Sequence, residues 1–159
     1  MLFRSENPKA DFTHYGEQLV KLYPEDGNAY FTLISYQMFQ DDYYENAEST
    51  LLQALEVVEN PAPIYNLLVY SYIETEQFDK AKEAADKQLS LVPEWANAYD
   101  TKGDYFMAVK MYGSAHDQYM RAHKMDSDFT YSKKKAMKAK KLLNEQCITA
   151  QIKKLMNAY

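Results

Sequence analysis

The stretch YNLLVYSYIETEQFDKAKEAADKQLSLVP, residues 65–93, decides the fold. Tyr65, Leu68, Val69 and Tyr72 recur at three- and four-residue spacing, which puts them on one face of an α-helix. The polar run Glu74-Thr75-Glu76-Gln77 breaks the pattern. Phe78, Ala81, Ala85 and Leu89 then mark the face of a second helix. Pro93 disfavours helical backbone at Val92 and closes the pair. A helix, a short polar break and a second amphipathic helix make up the unit.

The same unit recurs on both sides at an interval of 34 residues. Tyr44, Phe78 and Tyr112 keep that interval, and Ala47, Ala81 and Ala115 repeat it three positions later. Phe31, Tyr65 and Tyr99 stay in phase, as do Met38, Tyr72 and Phe106, and Val57, Leu91 and Met125. A fixed period of this length marks stacked helical repeats. The small residues Ala47, Ala81, Ala115 and Gly103 suit close approach of paired helices, while the aromatics fill wider gaps. Nearly half of the 159 residues are apolar and only nine are Gly or Pro, which favours an all-α fold over a sheet with many tight turns.

These residues resemble the tetratricopeptide repeat. Tyr65 through Pro93 follows the whole of that family's pattern, and Asn97-Ala98-Tyr99-Asp100-Thr101-Lys102-Gly103-Asp104-Tyr105-Phe106 is similar to its first half. Lys102 stands where leucine is usual, Gln88 where alanine is, and Ser35 and Val69 where glycine is. The resemblance covers about residues 28–129 and implies a right-handed superhelical α-solenoid of stacked antiparallel helix pairs. The expected organisation is a single solenoid over 1–159. It has an N-terminal half-repeat at 8–24, repeats at 28–61, 62–95 and 96–129, and a C-terminal capping extension at 130–159. Phe12, Tyr15, Leu19 and Leu22 form the stripe of the half-repeat. The extension carries Ala136, Met137 and Leu143, then a second stripe of Ile148, Ile152, Leu155, Met156 and Tyr159. That stripe is expected to continue the cap, fold back, or dock on a neighbouring molecule.

Catalytic signatures are missing from the sequence. The glycines are scattered, so no P-loop or dinucleotide fingerprint exists. His14, His116 and His123 lack metal-ligand spacing, Asp41-Asp42 reads as a solvated turn, and no cofactor is called for. A lone cysteine, Cys147, rules out an internal disulfide and is expected to be a buried thiol. No apolar run reaches the ~18 residues of a membrane span. Met1 through Pro8 lacks the apolar core of a signal peptide. The cytoplasm is the default compartment, and the periplasm or export is expected if the chain is a fragment or mature form.

The resemblance implies a non-enzymatic protein-interaction module whose first helices line a concave groove. Projected onto this chain, the groove residues are Tyr36, Phe39, Asn66, Tyr70, Ile73, Glu74, Asn97, Asp100, Asp104 and Met107. Its occupant is an unidentified protein or peptide, with the chain acting as adaptor, scaffold or repeat module of a larger bacterial protein. Relatives that hold acidic chaperone C-termini use Lys, Asn, Asn, Lys and Arg; the matching positions here are Thr32, Tyr36, Leu67, Asn97 and Thr101. All five differ from that set. Residues 1–108 also hold seven basic and nineteen acidic groups, net −12, and would repel such a tail.

Residues 109–159 hold eleven basic and four acidic groups, net +7, so the overall −5 hides a strong polarity. Within them, Lys133, Lys134, Lys135, Lys138, Lys140 and Lys141 form a run. One structural reading sets Lys134 and Lys138 opposite Asp100 and Asp104. Two other classes of function compete with peptide binding. One is self-assembly, giving a homo-oligomer through the amphipathic C-terminal helix. The other is anion or nucleic-acid binding through Lys133–Lys141, against which the lack of interleaved aromatics and arginines counts.

Overall fold

A computed structural model describes residues 8–41, 44–128 and 130–158, without the side chains of residues 8–13, 39–41, 45 and 46. Readings placed on Met1 through Asn7, Asp42, Phe129 and Tyr159, and on the side chains of Phe12, Phe39 and Asp41, lie outside the described residues. Eight α-helices and no strand occur among those described. They are α1 (Pro8–Leu22), α2 (Gly27–Asp41), α3 (Tyr44–Leu55), α4 (Ala62–Glu74), α5 (Phe78–Leu91), α6 (Ala96–Ala108), α7 (Tyr112–Met125) and α8 (Thr130–Met156).

The 34-residue interval reappears as a structural phase. Tyr44, Phe78 and Tyr112 are the first residues of α3, α5 and α7, and Ala62 and Ala96 those of α4 and α6. Ala47, Ala81 and Ala115 are fully buried. The turns after α4 and α6 share one chemistry. Glu76 and Lys110, 34 apart, take left-handed backbone with φ of 56° and 60°. Gln77 N donates to Tyr72 O at 2.8 Å and Met111 N to Phe106 O at 2.9 Å. These wrap-back bonds satisfy carbonyls that the helix end leaves open, in the geometry that glycine usually supplies. The entry turns repeat too. Asp26 Oδ1 accepts from Asn28 N at 2.9 Å, and Asn60 Oδ1 from Ala62 N at 3.2 Å. Short loops make α1 with α2, α4 with α5 and α6 with α7 antiparallel hairpins.

The helices divide into two compact units, Met1–Leu91 and Val92–Tyr159. In the first, α1 packs on α2, α2 on α3 and α4, and α4 on α3 and α5. Ile34, Met38, Leu51, Ile64, Leu67 and Val69 are among its fully buried side chains. Ser71 Oγ donates to Tyr44 O at 2.8 Å, tying α4 to the start of α3. In the second unit α7 packs between α6 and α8. Its core joins Ala115 and Tyr119 of α7 to Ala136 and Ala139 of α8, with Phe106 and Met107 against them.

Residues 144–156 neither fold back nor form a separate element: α8 runs unbroken to Met156. Its last partly covered residues are Leu142 and Leu143. Cys147, expected to be buried, is exposed, because α8 has by then run past the helix that covers its first half.

Candidate protein-interaction surface

The first-helix residues singled out by the sequence fall into two sets. In the first unit, α4 is buried almost all round, as a helix held by α2, α3 and α5 must be. Asn66 is buried, and beyond it Tyr70 and Ile73 are half-buried and Glu74 is exposed. At positions i, i+4, i+7 and i+8 these four share one helical face. Tyr36, one period before Tyr70, is half-buried on the neighbouring α2. The face therefore presents two tyrosines, an isoleucine and a carboxylate on helices whose other sides are fixed by packing.

In the second unit, Asn97 is exposed, Met107 half-buried, and the two aspartates are engaged within the molecule. Ser132 Oγ donates to Asp100 Oδ1 at 2.5 Å. Lys135 Nζ reaches Asp100 Oδ2 at 2.6 Å and Asp104 Oδ2 at 2.7 Å. Tyr119 Oη donates to Asp104 Oδ1 at 2.7 Å. Asp100 and Asp104 are one helical turn apart, so a single ammonium spans both. The pairing lysine is Lys135, not Lys134 or Lys138 as the charge pattern suggests. Lys134 and Lys138 border a cavity of about 420 Å³ together with Asp104, Met107, Tyr119, Tyr131 and Lys135.

Burial works against the Lys135 ammonium, but Asp104 and Asp100 outweigh it and hold its pKa above the ordinary 10.5. The Nζ also lies 5.4 Å from the Tyr119 ring centroid and 5.0 Å from that of Tyr131. A charge so enclosed fixes α8 to α6 and α7. Its chemistry is that of a tether.

Sequence reasoning missed a second network, on the first unit's other side. Lys80 Nζ donates to Glu48 Oε1 at 2.9 Å, Tyr72 Oη to the same oxygen at 3.2 Å, and Gln77 Nε2 to Oε2 at 3.4 Å. Lys80's hydrogen bond, aided by those of Gln77 and Tyr72, holds the Glu48 carboxyl below its usual 4.5 against the effect of burial. Burial, then the Glu48 charge, pushes the Tyr72 phenol up to about 12. Neither Glu48 nor Lys80 follows the repeat, so periodicity gave no signal for them. The one available hint was Tyr72, a residue of the repeated core with a hydroxyl to satisfy.

Residues 62–94 match the family model of the tetratricopeptide repeat. The match spans α4, its turn and α5, so the chain carries a tetratricopeptide repeat there, in the phase that its flanking helix pairs continue. The tetratricopeptide repeat is a protein–protein interaction module and typically a non-enzymatic one. No curated protein matches the chain. No helix among the described residues is long and apolar enough to cross a membrane.

Proposed function

We propose that this chain is a non-enzymatic adaptor or scaffold module that takes a peptide or protein segment on its first-helix faces. The observation that carries the reading is the row Asn66, Tyr70, Ile73, Glu74 on α4, with Tyr36 on α2. Such a row sits on a helix pinned on its remaining sides, so its side chains are offered with little entropy left to lose. Tyrosine supplies rigid contact area with a polar tip, which is the composition of interface anchors. Glu74 adds an exposed carboxylate acceptor for an extended backbone, while Asn66 lies buried at the inner end of the row.

In the second unit the proposal rests on Asn97 and Met107. Asp100 and Asp104 serve the reading by holding α8 in place, and any contact of theirs with a ligand goes through carboxylates already bonded to Lys135. Phe39 belongs to the proposed row by its position alone. An acidic tail is a poor occupant, since residues 1–108 carry net −12.

The test is selection from a displayed peptide library on the intact chain, followed by binding to Tyr36→Ala/Tyr70→Ala. Selected peptides should lose at least tenfold in affinity, the ordinary cost of two interface tyrosines at about 1 kcal/mol or more each. Peptides that bind the double variant as well as the unaltered chain would remove these faces from the function.

A further inference from the structure

By its place in the repeat, α8 is a first helix. It starts at Thr130, 34 residues after α6 starts at Ala96. Its burial keeps the same phase. Ser132 and Ala139 stand one period after the buried Ala98 and Tyr105, and Ala136 stands two periods after the buried Leu68. With the buried side in register, the remaining faces correspond too. Tyr131, Lys134 and Lys138 hold on α8 the positions that Asn97, Asp100 and Asp104 hold on α6. The helical face that carries Asn66 and Tyr70 on α4 therefore turns basic on α8.

Those two ammoniums are surplus to the tether. All four carboxylate oxygens of Asp100 and Asp104 are engaged, one of each by Lys135 and the others by Ser132 and Tyr119. Among the described residues no carboxylate pairs with Lys134 or Lys138, and both are exposed. Glu145, the next acid along α8, approaches Lys141 Nζ at 3.9 Å and lies outside the cavity that Lys134 and Lys138 border. Met107 of α6 and the rings of Tyr119 and Tyr131 give that cavity an apolar part. Tyr131 itself is 63% exposed. Two unpaired cations thus stand beside apolar surface in a hollow of about 420 Å³, wholly within Val92–Tyr159.

We propose that this cavity binds an extended peptide segment in which an apolar side chain and two acidic ones occupy alternate positions. Lys134 and Lys138 are four residues apart on one helical face, a rise of about 6 Å. Side chains at i and i+2 of an extended peptide point the same way and lie roughly 7 Å apart. Each acid therefore meets one ammonium, and an apolar residue two positions away reaches Tyr131 and Met107. A nucleic-acid backbone fits less well, because α8 holds no arginine and its lysine face a single aromatic, Tyr131. The occupant is taken to be a peptide on the strength of the function proposed above; the site itself uses none of Tyr36, Tyr70 or Ile73. A long acidic tail is not implied. Two acids saturate the pair, and further ones are repelled by the net −12 of residues 1–108.

Titration of the isotope-labelled whole chain with the blocked peptide acetyl-Leu-Ser-Glu-Ser-Glu-amide, followed by NMR, tests this. Amide signals of residues 131–138 and of Met107 should shift and saturate. The same peptide with glutamine for both glutamates should bind about fivefold more weakly, within what two partly exposed ion pairs contribute. Lys134→Gln/Lys138→Gln should lose the same factor for the acidic peptide and nothing for the neutral one. Lys133→Gln/Lys140→Gln removes equal charge from the opposite side of α8 and should bind as the unaltered chain does. All four lysines are exposed and none belongs to the Lys135 tether, so the fold is kept. Tyr36→Ala/Tyr70→Ala should also bind this peptide unchanged, which separates failure of the tyrosine row from failure of this site. The proposal is overturned if the acidic peptide does not bind at millimolar concentration or binds no better than the neutral one. It is equally overturned if the Lys133/Lys140 control weakens binding as much as the Lys134/Lys138 variant. Tighter binding of a single-stranded oligonucleotide through Lys134 and Lys138 would replace it with a nucleic-acid site.

Discussion

Two residue-scale features set by the repeat carry measurable strain or none at all. At Gly103 an added Cβ would lie 2.5 Å from Cε1 of Tyr119, whose ring is fully buried and whose hydroxyl is committed to Asp104 at 2.7 Å. Gly103→Ala should therefore cost about 1–3 kcal/mol in denaturant unfolding, the usual penalty of overpacking. A cost near zero would mean that Tyr119 swings aside freely. At Lys110, φ of 60° forces an L-residue into the left-handed region. Lys110→Gly should stabilise by up to roughly 1 kcal/mol, while Lys110→Val should destabilise. The need for a small residue at 103 is legible in the sequence, because the repeat places Gly103 in a first helix beside the Tyr112–Ala115 helix. The left-handed turns are not legible. Glu76 and Lys110 look like ordinary surface residues, and only the backbone reveals that they occupy glycine's place.

At the scale of elements, the beginnings of α3 through α7 follow from the period, whereas the docking of α8 does not. Periodicity states which residues of a helix face its own repeat; it says nothing of how the first helix outside the repeat is rotated. Three lysines within one and a half turns, Lys134, Lys135 and Lys138, all carry the right charge for Asp100 and Asp104. Only packing of Ala136 and Ala139 into the α7 core selects Lys135. Removing that ammonium leaves two largely buried carboxylates facing each other. Lys135→Met should cost about 3 kcal/mol, while the triple change Asp100→Asn/Asp104→Asn/Lys135→Met should recover most of it. The pH dependence follows from the raised pKa of Lys135. Its stabilisation is fully present below 10.5 and is lost as pH rises through the higher folded-state value. Tyr72, raised to about 12, titrates in the same sense but is common to both proteins. The difference between the unaltered chain and Lys135→Met should accordingly shrink only above pH 10.5. Glu48, held below 4.5, behaves oppositely, since its contribution is present above that pH and fades on acidification. A Lys80→Met variant should flatten that acid limb by a modest amount, as expected of a partly exposed pair.

Across the whole molecule, stability and binding fall on different residues. The charge pattern alone suggests one acidic body and one basic tail, net −12 and +7. The structure spends part of that polarity internally, at Lys135 with Asp100 and Asp104, and leaves the rest on surfaces such as Glu25, Asp26, Lys153 and Lys154. The aspartates that the tetratricopeptide resemblance projects onto the groove are bonded to Lys135 within Val92–Tyr159, while the tyrosine row on α2 and α4 lies within Met1–Leu91. Stacked repeats gain stability mainly from nearest neighbours, so a lesion in one compact unit need not open the other. Hydrogen exchange on Lys135→Met measures this directly. A loss of about 3 kcal/mol should raise exchange of the protected amides of α6, α7 and α8 by roughly a hundredfold. Amides of α4 and α5, whose core of Leu67, Val69, Ala81 and Ala85 touches none of the altered contacts, should change far less. An equal rise in both units would show that the chain opens as one cooperative block. In that case no variant could weaken the α8 tether without also loosening the helices that present Tyr36 and Tyr70.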